Sequence, residues 1–216
     1  MKKIVIIGPE STGKSTLCEQ LAAHYHTRWV PEYAREFLEK NGTQYRYENL
    51  YEIALGQVEG EESGVISQES LANSHQSLDI SQESIVISHQ SLDNSWQTNL
   101  NPQHTTPVIF IDTDLYVIKV WSEFVFNKCD NRILTQIAKR KYDLYLLCNT
   151  DLPWQADSLR EYPDLHTREI LYHYYKDAML NQKTTWADIS GMHEERLQKA
   201  IEAVNRCLAT SKKLLI

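Results

Sequence analysis

The sequence IVIIGPESTGKS occupies residues 4–15 and decides the fold. Its four apolar residues predict a short buried strand, and the G-x-x-x-x-G-K-S pattern that follows is that of a P-loop, in which backbone N–H groups surround a phosphate group. The next stretch, residues 16–26, has the composition of a helix, and a helix N-terminus also attracts an anion. A strand, a glycine-rich loop and a helix in this order predict a site for a nucleoside triphosphate.

Two side chains of the P-loop carry specific chemistry. Lys14 can reach the β- and γ-phosphates, and the hydroxyl group of Ser15 can ligate Mg²⁺. The alternative, a chance glycine-rich turn before an ordinary helix, does not account for every fixed position of the pattern. We therefore predict ATP and Mg²⁺ as ligands, with ATP bound by Gly8, Glu10, Ser11, Thr12, Gly13, Lys14, Ser15 and Thr16.

Composition limits the classes of partner. The chain has 216 residues, enough for one α/β domain, and its net charge of −7 argues against nucleic acid or an anionic membrane as a partner. No apolar run approaches the ~20 residues of a membrane span. The four cysteines form no C-x-x-C pair, so we expect small buried thiols in a reducing compartment. The N-terminus enters a strand directly, unlike a signal peptide. A cytoplasmic enzyme acting on a small molecule is expected, and the oligomeric state stays open.

Strand-like and helix-like segments alternate along the chain. Further strands are predicted at residues 28–30, 108–111, 142–148 and 185–189, and further helices at 33–40, 47–62, 114–126, 132–141, 167–180 and 194–208. This alternation predicts an α/β P-loop NTPase fold, a three-layer sandwich with a central parallel sheet. Ligands of such sheets lie at the carboxyl ends of the strands, so the P-loop and the residues after the other strands should converge.

A low-complexity insert interrupts this pattern within the single domain 1–216. Residues 67–94 form four serine-rich heptads, and residues 63–106 contain no lysine or arginine. A period of seven is compatible with a coiled-coil arm. However, only one strongly apolar position repeats, and serine and asparagine are poor helix formers. We therefore expect residues 63–106 to form a disordered surface loop without a role in catalysis.

Two acidic residues follow the apolar run VIFI at residues 108–111. Asp112 ends this strand as the acid of a Walker B strand does, and it can hold Mg²⁺ through water. Asp114 has two interpretations, as the N-cap of the next helix or as a group that binds substrate or acts as the base.

A third acidic residue, Glu32, follows the predicted strand at residues 28–30. Its carboxylate can accept the proton of an attacking hydroxyl group, and Arg35 can hold phosphate or orient Glu32. The alternative is an ordinary ion pair between Glu32 and Arg35 at the start of a helix.

The segment 152–160, LPWQADSLR, lies where P-loop kinases carry a mobile lid. Arg160 and Arg168 are candidates to neutralise the charge of a phosphoryl group in transfer. Trp121, on an amphipathic helix, either packs in the core or provides a stacking surface for a substrate. The predicted catalytic residues are Lys14, Glu32, Asp112 and Arg160.

The order of GPESTGKS, PEYAREFL, FIDTDL, WQADSLR and a final ISG resembles the ribosylnicotinamide kinase domain of NadR-type proteins, within the NadR-like P-loop ATPases. The resemblance covers nearly the whole chain except the insert. It implies ATP-dependent phosphorylation of the 5′-hydroxyl group of nicotinamide riboside. It also implies that Glu32, Tyr33 and Arg35 line the nucleoside side, and that Asp112 and Asp114 serve the metal and the ribose.

The chain departs from NadR-type proteins in two respects. It lacks the H-x-G-H motif of their adenylyltransferase domain, so only the kinase half is expected. Pro31 also stands where an aromatic residue is expected before Glu32, which leaves the base of the substrate open. The alternatives are a kinase for another nucleoside or small alcohol, and a nucleotide-switched binding protein without kinase activity.

Overall fold

Five parallel strands form one sheet at the centre of the computed structural model, which describes residues 1–83 and 107–210. The strands follow the order β2-β3-β1-β4-β5 across the sheet. Each neighbouring pair is parallel. Their bounds are β1 Lys2–Ile7, β2 Trp29–Val30, β3 Val108–Asp112, β4 Leu144–Cys148 and β5 Trp186–Ile189.

Helices cover both faces of this sheet, which confirms the predicted three-layer α/β architecture. Their bounds are α1 Lys14–His24, α2 Tyr33–Asn41, α3 Tyr47–Glu83, α4 Leu115–Phe126, α5 Asn131–Lys139, α6 Leu165–Asn181 and α7 His193–Thr210. Helices α1 and α7 pack on one face, and α4 and α6 pack on the other, where α2, α3 and α5 add a further apolar cluster. In the described part of the chain, no helix is both long and apolar enough to span a membrane.

Alternation within β1 explains the two-sided core. Ile4 and Ile6 belong to the cluster with α1 and α7, whereas Val5 and Ile7 belong to the cluster with α4 and α6. All four side chains are fully buried. A strand covered on both faces needs apolar residues at every position, which is why the sequence shows a continuous apolar run there.

The structure corrects the prediction for residues 63–106. Helix α3 continues through the first part of the insert to Glu83, so residues 63–83 are not a disordered loop; residues 84–106 lie outside the described residues. Packing explains the helix at its beginning, because Val65 contacts the core, and the Gln68 side chain accepts a hydrogen bond from the Arg28 backbone N–H (3.1 Å). A Cβ atom on Gly64 would lie 2.6 Å from Val30, so this glycine allows α3 to approach β2. Tertiary contacts here outweigh weak helix propensity.

The four cysteines are free thiols, but only two of them are buried as the sequence predicts. Cys18 and Cys148 are buried, whereas Cys129 and Cys207 are half-buried. Burial raises the pKa of the Cys148 thiol to about 11, which keeps it protonated and unreactive at neutral pH.

Candidate active site

The P-loop connects β1 to α1 at the carboxyl ends of the strands, and two glycines give it its shape. Gly8 has φ +141°, and a Cβ atom there would lie 2.7 Å from the Cys148 carbonyl oxygen. Gly13, at the N-cap of α1, has φ +75° in the left-handed region. The Lys14 ammonium group donates a hydrogen bond to the Pro9 carbonyl oxygen (2.9 Å) across the loop. The sequence pattern thus has its expected structural context.

A cavity of about 390 Å³ opens at this edge of the sheet. Every residue of the P-loop from Gly8 to Thr16 lines it. Glu32 and Arg35 line the same cavity, and an apolar wall is added by Leu38, Tyr45, Leu50, Ile53, Ile118 and Trp121. One cavity therefore combines an anion-binding loop, a carboxylate, a guanidinium group and an apolar surface.

Asp112 lies at the end of β3 and is 1% exposed. Burial and the nearby charge of Glu32 raise the pKa of Asp112, whereas Lys14 and a hydrogen bond from Ser15 lower it. Its Oδ1 atom is buried and has no hydrogen-bond partner among the described residues. A buried carboxylate oxygen next to the Ser15 hydroxyl group provides the hard oxygen ligands that Mg²⁺ prefers, so the residues present fit this ion.

Glu32 precedes α2, and its side chain makes no capping hydrogen bond. Among the described residues, Glu32 and Arg35 do not form the ion pair that was the alternative interpretation. Instead, Arg35 pairs with Asp157 (2.8 Å) and, more loosely, with Glu39 (3.9 Å). The Glu32 carboxylate thus lines the cavity without being engaged by its neighbour on the helix.

The structure does not bring Asp114 to the main cavity. Its carboxylate caps α4 by accepting a hydrogen bond from the Tyr116 N–H (2.9 Å), and it also accepts one from the Tyr145 hydroxyl group (2.7 Å). It is 1% exposed and lines a separate cavity of about 290 Å³. The capping interpretation of Asp114 is therefore confirmed, and both of its carboxylate oxygens accept hydrogen bonds away from the main cavity.

Tyr33 is also absent from the lining of the main cavity. Its ring packs against α3, where a Cβ atom on Gly56 would lie 2.1 Å from the ring carbon Cε1. The ring belongs to the apolar cluster between α2 and α3. The expectation that Tyr33 lines the nucleoside side is thus corrected, because the ring fills the space that Gly56 leaves open.

Trp121 lines the cavity and also takes part in packing. Its indole N–H donates a hydrogen bond to the Tyr45 hydroxyl group, and its ring meets that of Tyr162 edge to face at 5.5 Å. Tyr45 lines the cavity too. The two interpretations of Trp121, core residue and aromatic surface of the site, are therefore compatible.

Residues 152–163, here called the lid segment, join β4 to α6 and contact the P-loop. Arg160 lines the cavity and donates a hydrogen bond to the Ser11 hydroxyl oxygen (3.4 Å). Arg168 is 3% exposed, does not line the cavity and donates to the Leu152 carbonyl oxygen (3.4 Å). Of the two arginines that the sequence suggested, only Arg160 faces the site.

Sequence reasoning missed Arg196, a buried residue in the first turn of α7. Its guanidinium group donates to the carbonyl oxygens of Thr12 (3.2 Å) and Ile189 (3.0 Å), and thus connects the P-loop to the end of β5. Arg196 lines the cavity together with Met192 and His193. The sequence did contain one signal for this role, because Arg196 follows closely on the Ser190-Gly191 turn at the end of the last strand.

The model of the family described as AAA domain matches residues 3–196. The chain belongs to this family. A curated relative is the trifunctional NAD biosynthesis/regulator protein NadR of Salmonella typhimurium, which is 24% identical over 164 residues. The match covers 74% of this chain and 31% of that protein. The resemblance to NadR-like P-loop proteins is confirmed.

Solved structures show the same fold. A NadR protein in complex with NR matches with a TM-score of 0.62, and one in complex with NAD and AMP-PNP matches with 0.64, both at 19% identity. They cover 96% of this chain, which spans 50% and 49% of their lengths, respectively. A thymidylate kinase from Ehrlichia chaffeensis has a TM-score of 0.50 at 11% identity and covers 100% of this chain and 98% of its own. At these identities the structural likeness establishes the fold, a P-loop NTPase fold.

Proposed function

We propose that this protein is an ATP-dependent kinase that phosphorylates a hydroxyl group of a small nucleoside, with the 5′-hydroxyl group of nicotinamide riboside as the first acceptor to test. The observation that carries the proposal is the single cavity shared by the P-loop, Glu32 and an apolar wall with two aromatic residues. Phosphoryl transfer needs such continuity, because the acceptor oxygen must face the γ-phosphate in line.

On the ATP side, the P-loop N–H groups surround the phosphates and Lys14 neutralises charge on the β- and γ-phosphates. Ser15 and, through water, Asp112 would hold Mg²⁺, which when bound supplies further neutralisation of the phosphate charge. Arg160 contributes positive charge from the lid segment. Cytoplasmic ATP is the phosphoryl donor in this proposal.

On the acceptor side, Glu32 accepts a hydrogen bond from the nucleoside hydroxyl group and takes its proton as the bond to phosphorus forms. The transition state of phosphoryl transfer is loose, so the main contribution of such a carboxylate is to position the hydroxyl oxygen. The apolar wall with Tyr45 and Trp121 offers an aromatic surface to the base. NadR with bound NR supports nicotinamide riboside as the first acceptor.

The test is ADP release by the purified protein with Mg²⁺-ATP and, in turn, nicotinamide riboside, the common nucleosides, or buffer alone. The proposal expects strong stimulation by one nucleoside and a product heavier by one phosphoryl group in mass spectrometry. The Lys14→Ala variant measures contaminating activity. Stimulation by another nucleoside or small alcohol would keep the kinase assignment and change the acceptor, whereas a slow rate indifferent to all additions would favour a nucleotide-switched binding protein.

A further inference from the structure

The side chains of two P-loop residues hold the lid segment. The Glu10 carboxylate oxygen Oε2 accepts hydrogen bonds from two successive backbone N–H groups, those of Glu161 (3.0 Å) and Tyr162 (3.1 Å). The Ser11 hydroxyl oxygen accepts one from the Gln155 N–H (2.8 Å). Both ends of the lid segment are therefore attached to the P-loop itself.

Glu10 and Ser11 occupy variable positions of the G-x-x-x-x-G-K-S pattern, where phosphate binding uses the backbone N–H groups and leaves the side chains free. Burial raises the pKa of Glu10, whereas the two lid N–H groups, Lys14 and Arg160 lower it. An ionised carboxylate that accepts two N–H groups forms charge-assisted hydrogen bonds, which are stronger than those between neutral groups. This contact is thus a specific attachment between the phosphate loop and the lid segment.

The attachment flanks Arg160. On its carboxyl side, the next two N–H groups are bound by Glu10. On its amino side, Arg160 donates to the Gln155 carbonyl oxygen, and the Arg160 N–H closes a turn onto the Asp157 carbonyl oxygen (3.1 Å). The position of the guanidinium group in the cavity therefore depends on these contacts.

We infer that Glu10 is a positioning residue, which fixes the lid segment so that Arg160 faces the phosphoryl group in transfer. This inference rests on the proposed kinase function for its effect on rate, but the contact itself can be measured without an acceptor. Its chemistry requires a hydrogen-bond acceptor at position 10, so glutamine can replace glutamate and alanine cannot.

The first measurement is amide hydrogen exchange of the full chain. Glu10→Ala should accelerate exchange at Glu161 and Tyr162 about tenfold or more, because each amide loses its acceptor. Exchange in β3 should not change, and Glu36→Ala, which removes an exposed carboxylate of α2, is the matched control. Unchanged exchange at the two lid amides, or equally faster exchange in β3, would overturn the inference.

The second measurement is steady-state kinetics with the acceptor that stimulates ADP release. Glu10→Ala should lower kcat about tenfold with little change in the KM for ATP. Glu10→Gln should restore part of kcat, because glutamine keeps the acceptor oxygen but not the charge. A kcat unaffected by Glu10→Ala, or one that Glu10→Gln fails to restore, would refute the positioning role. If the wild-type protein phosphorylates no acceptor, the proposed function fails, while the exchange result still decides whether Glu10 holds the lid segment.

Discussion

Glu61 makes the stability of this protein depend on pH in a direction that can be worked out from its surroundings. The residue is 2% exposed on α3, its Oε2 atom accepts a hydrogen bond from the Tyr142 hydroxyl group (2.8 Å), and its Oε1 atom has no partner among the described residues. Burial and the charge of Asp114 raise the pKa of Glu61 to about 7, against the opposing effects of Tyr142, Arg140 and Lys3. In the unfolded chain, the pKa of a glutamate is about 4.3.

The sign follows from proton binding. Between these two pKa values the folded protein keeps the proton on Glu61, whereas the unfolded chain releases it, so rising pH favours unfolding. The stabilisation is complete below pH ~4 and is lost as the pH rises through the folded-state pKa. The difference between these two pKa values corresponds to about 4 kcal/mol of unfolding free energy, since one pKa unit is worth about 1.4 kcal/mol.

Urea unfolding of the wild-type protein and of Glu61→Gln at pH 5, 6, 7 and 8 tests this expectation. The variant should gain stability relative to the wild type by about 3 kcal/mol from pH 5 to pH 8, because glutamine has no proton to lose. Glu62→Gln, which removes an exposed carboxylate that also pairs with Arg140 (3.3 Å), is the matched control. A difference between the wild type and Glu61→Gln that stays constant over this range would refute the reasoning.

Three further expectations concern the site and the insert. Lys14→Ala should reduce phosphoryl transfer by about 10²–10³ without unfolding the domain, and near-normal turnover by the folded variant would contradict the P-loop assignment. Glu32→Gln should lower kcat by about 10²–10⁴ and leave ATP affinity unchanged, whereas Asp114→Asn should mainly lower the melting temperature; the opposite pattern would exchange their roles. Two variants replace part of the chain by a short Gly/Ser link, one at residues 63–106 and the other at residues 71–106. The longer replacement should have a melting temperature about 4–8 °C lower, since it also removes about 2 kcal/mol of packing and hydrogen bonding by residues 63–70 of α3. Equal melting temperatures would show that residues 63–70 add no stability.

The local patterns of the sequence predicted the parts of the site that depend on few neighbours. The P-loop could be recognised because its glycines and its lysine act within eight consecutive residues. Asp112 could be recognised because a buried parallel strand is a continuous apolar run and ends abruptly at a charge. The capping role of Asp114 was one of two interpretations, and the sequence did not decide between them because both need an acid at the same position.

Contacts between distant segments could not be predicted in this way. Helix α3 continues past residue 62 because Gly64 and Val65 pack against β2 and the sheet core. Neither residue carries a local pattern that indicates such a partner. Tyr33 turns away from the cavity because Gly56, on another helix, leaves room for its ring. Arg196 lies more than 180 residues from Thr12, whose carbonyl oxygen it binds.

The sequence by itself thus determined the α/β class, the phosphate loop and the acidic residue at the end of the neighbouring strand, since each depends on short-range periodicity or on consecutive residues. Only the tertiary structure decided which side chains share the cavity. It selected Glu32 over Asp114 and Arg160 over Arg168, and it joined Glu10 to the lid segment. The physical reason is that the direction of a side chain depends on the space and the hydrogen-bond partners that remote segments provide, and a single sequence does not record those distances.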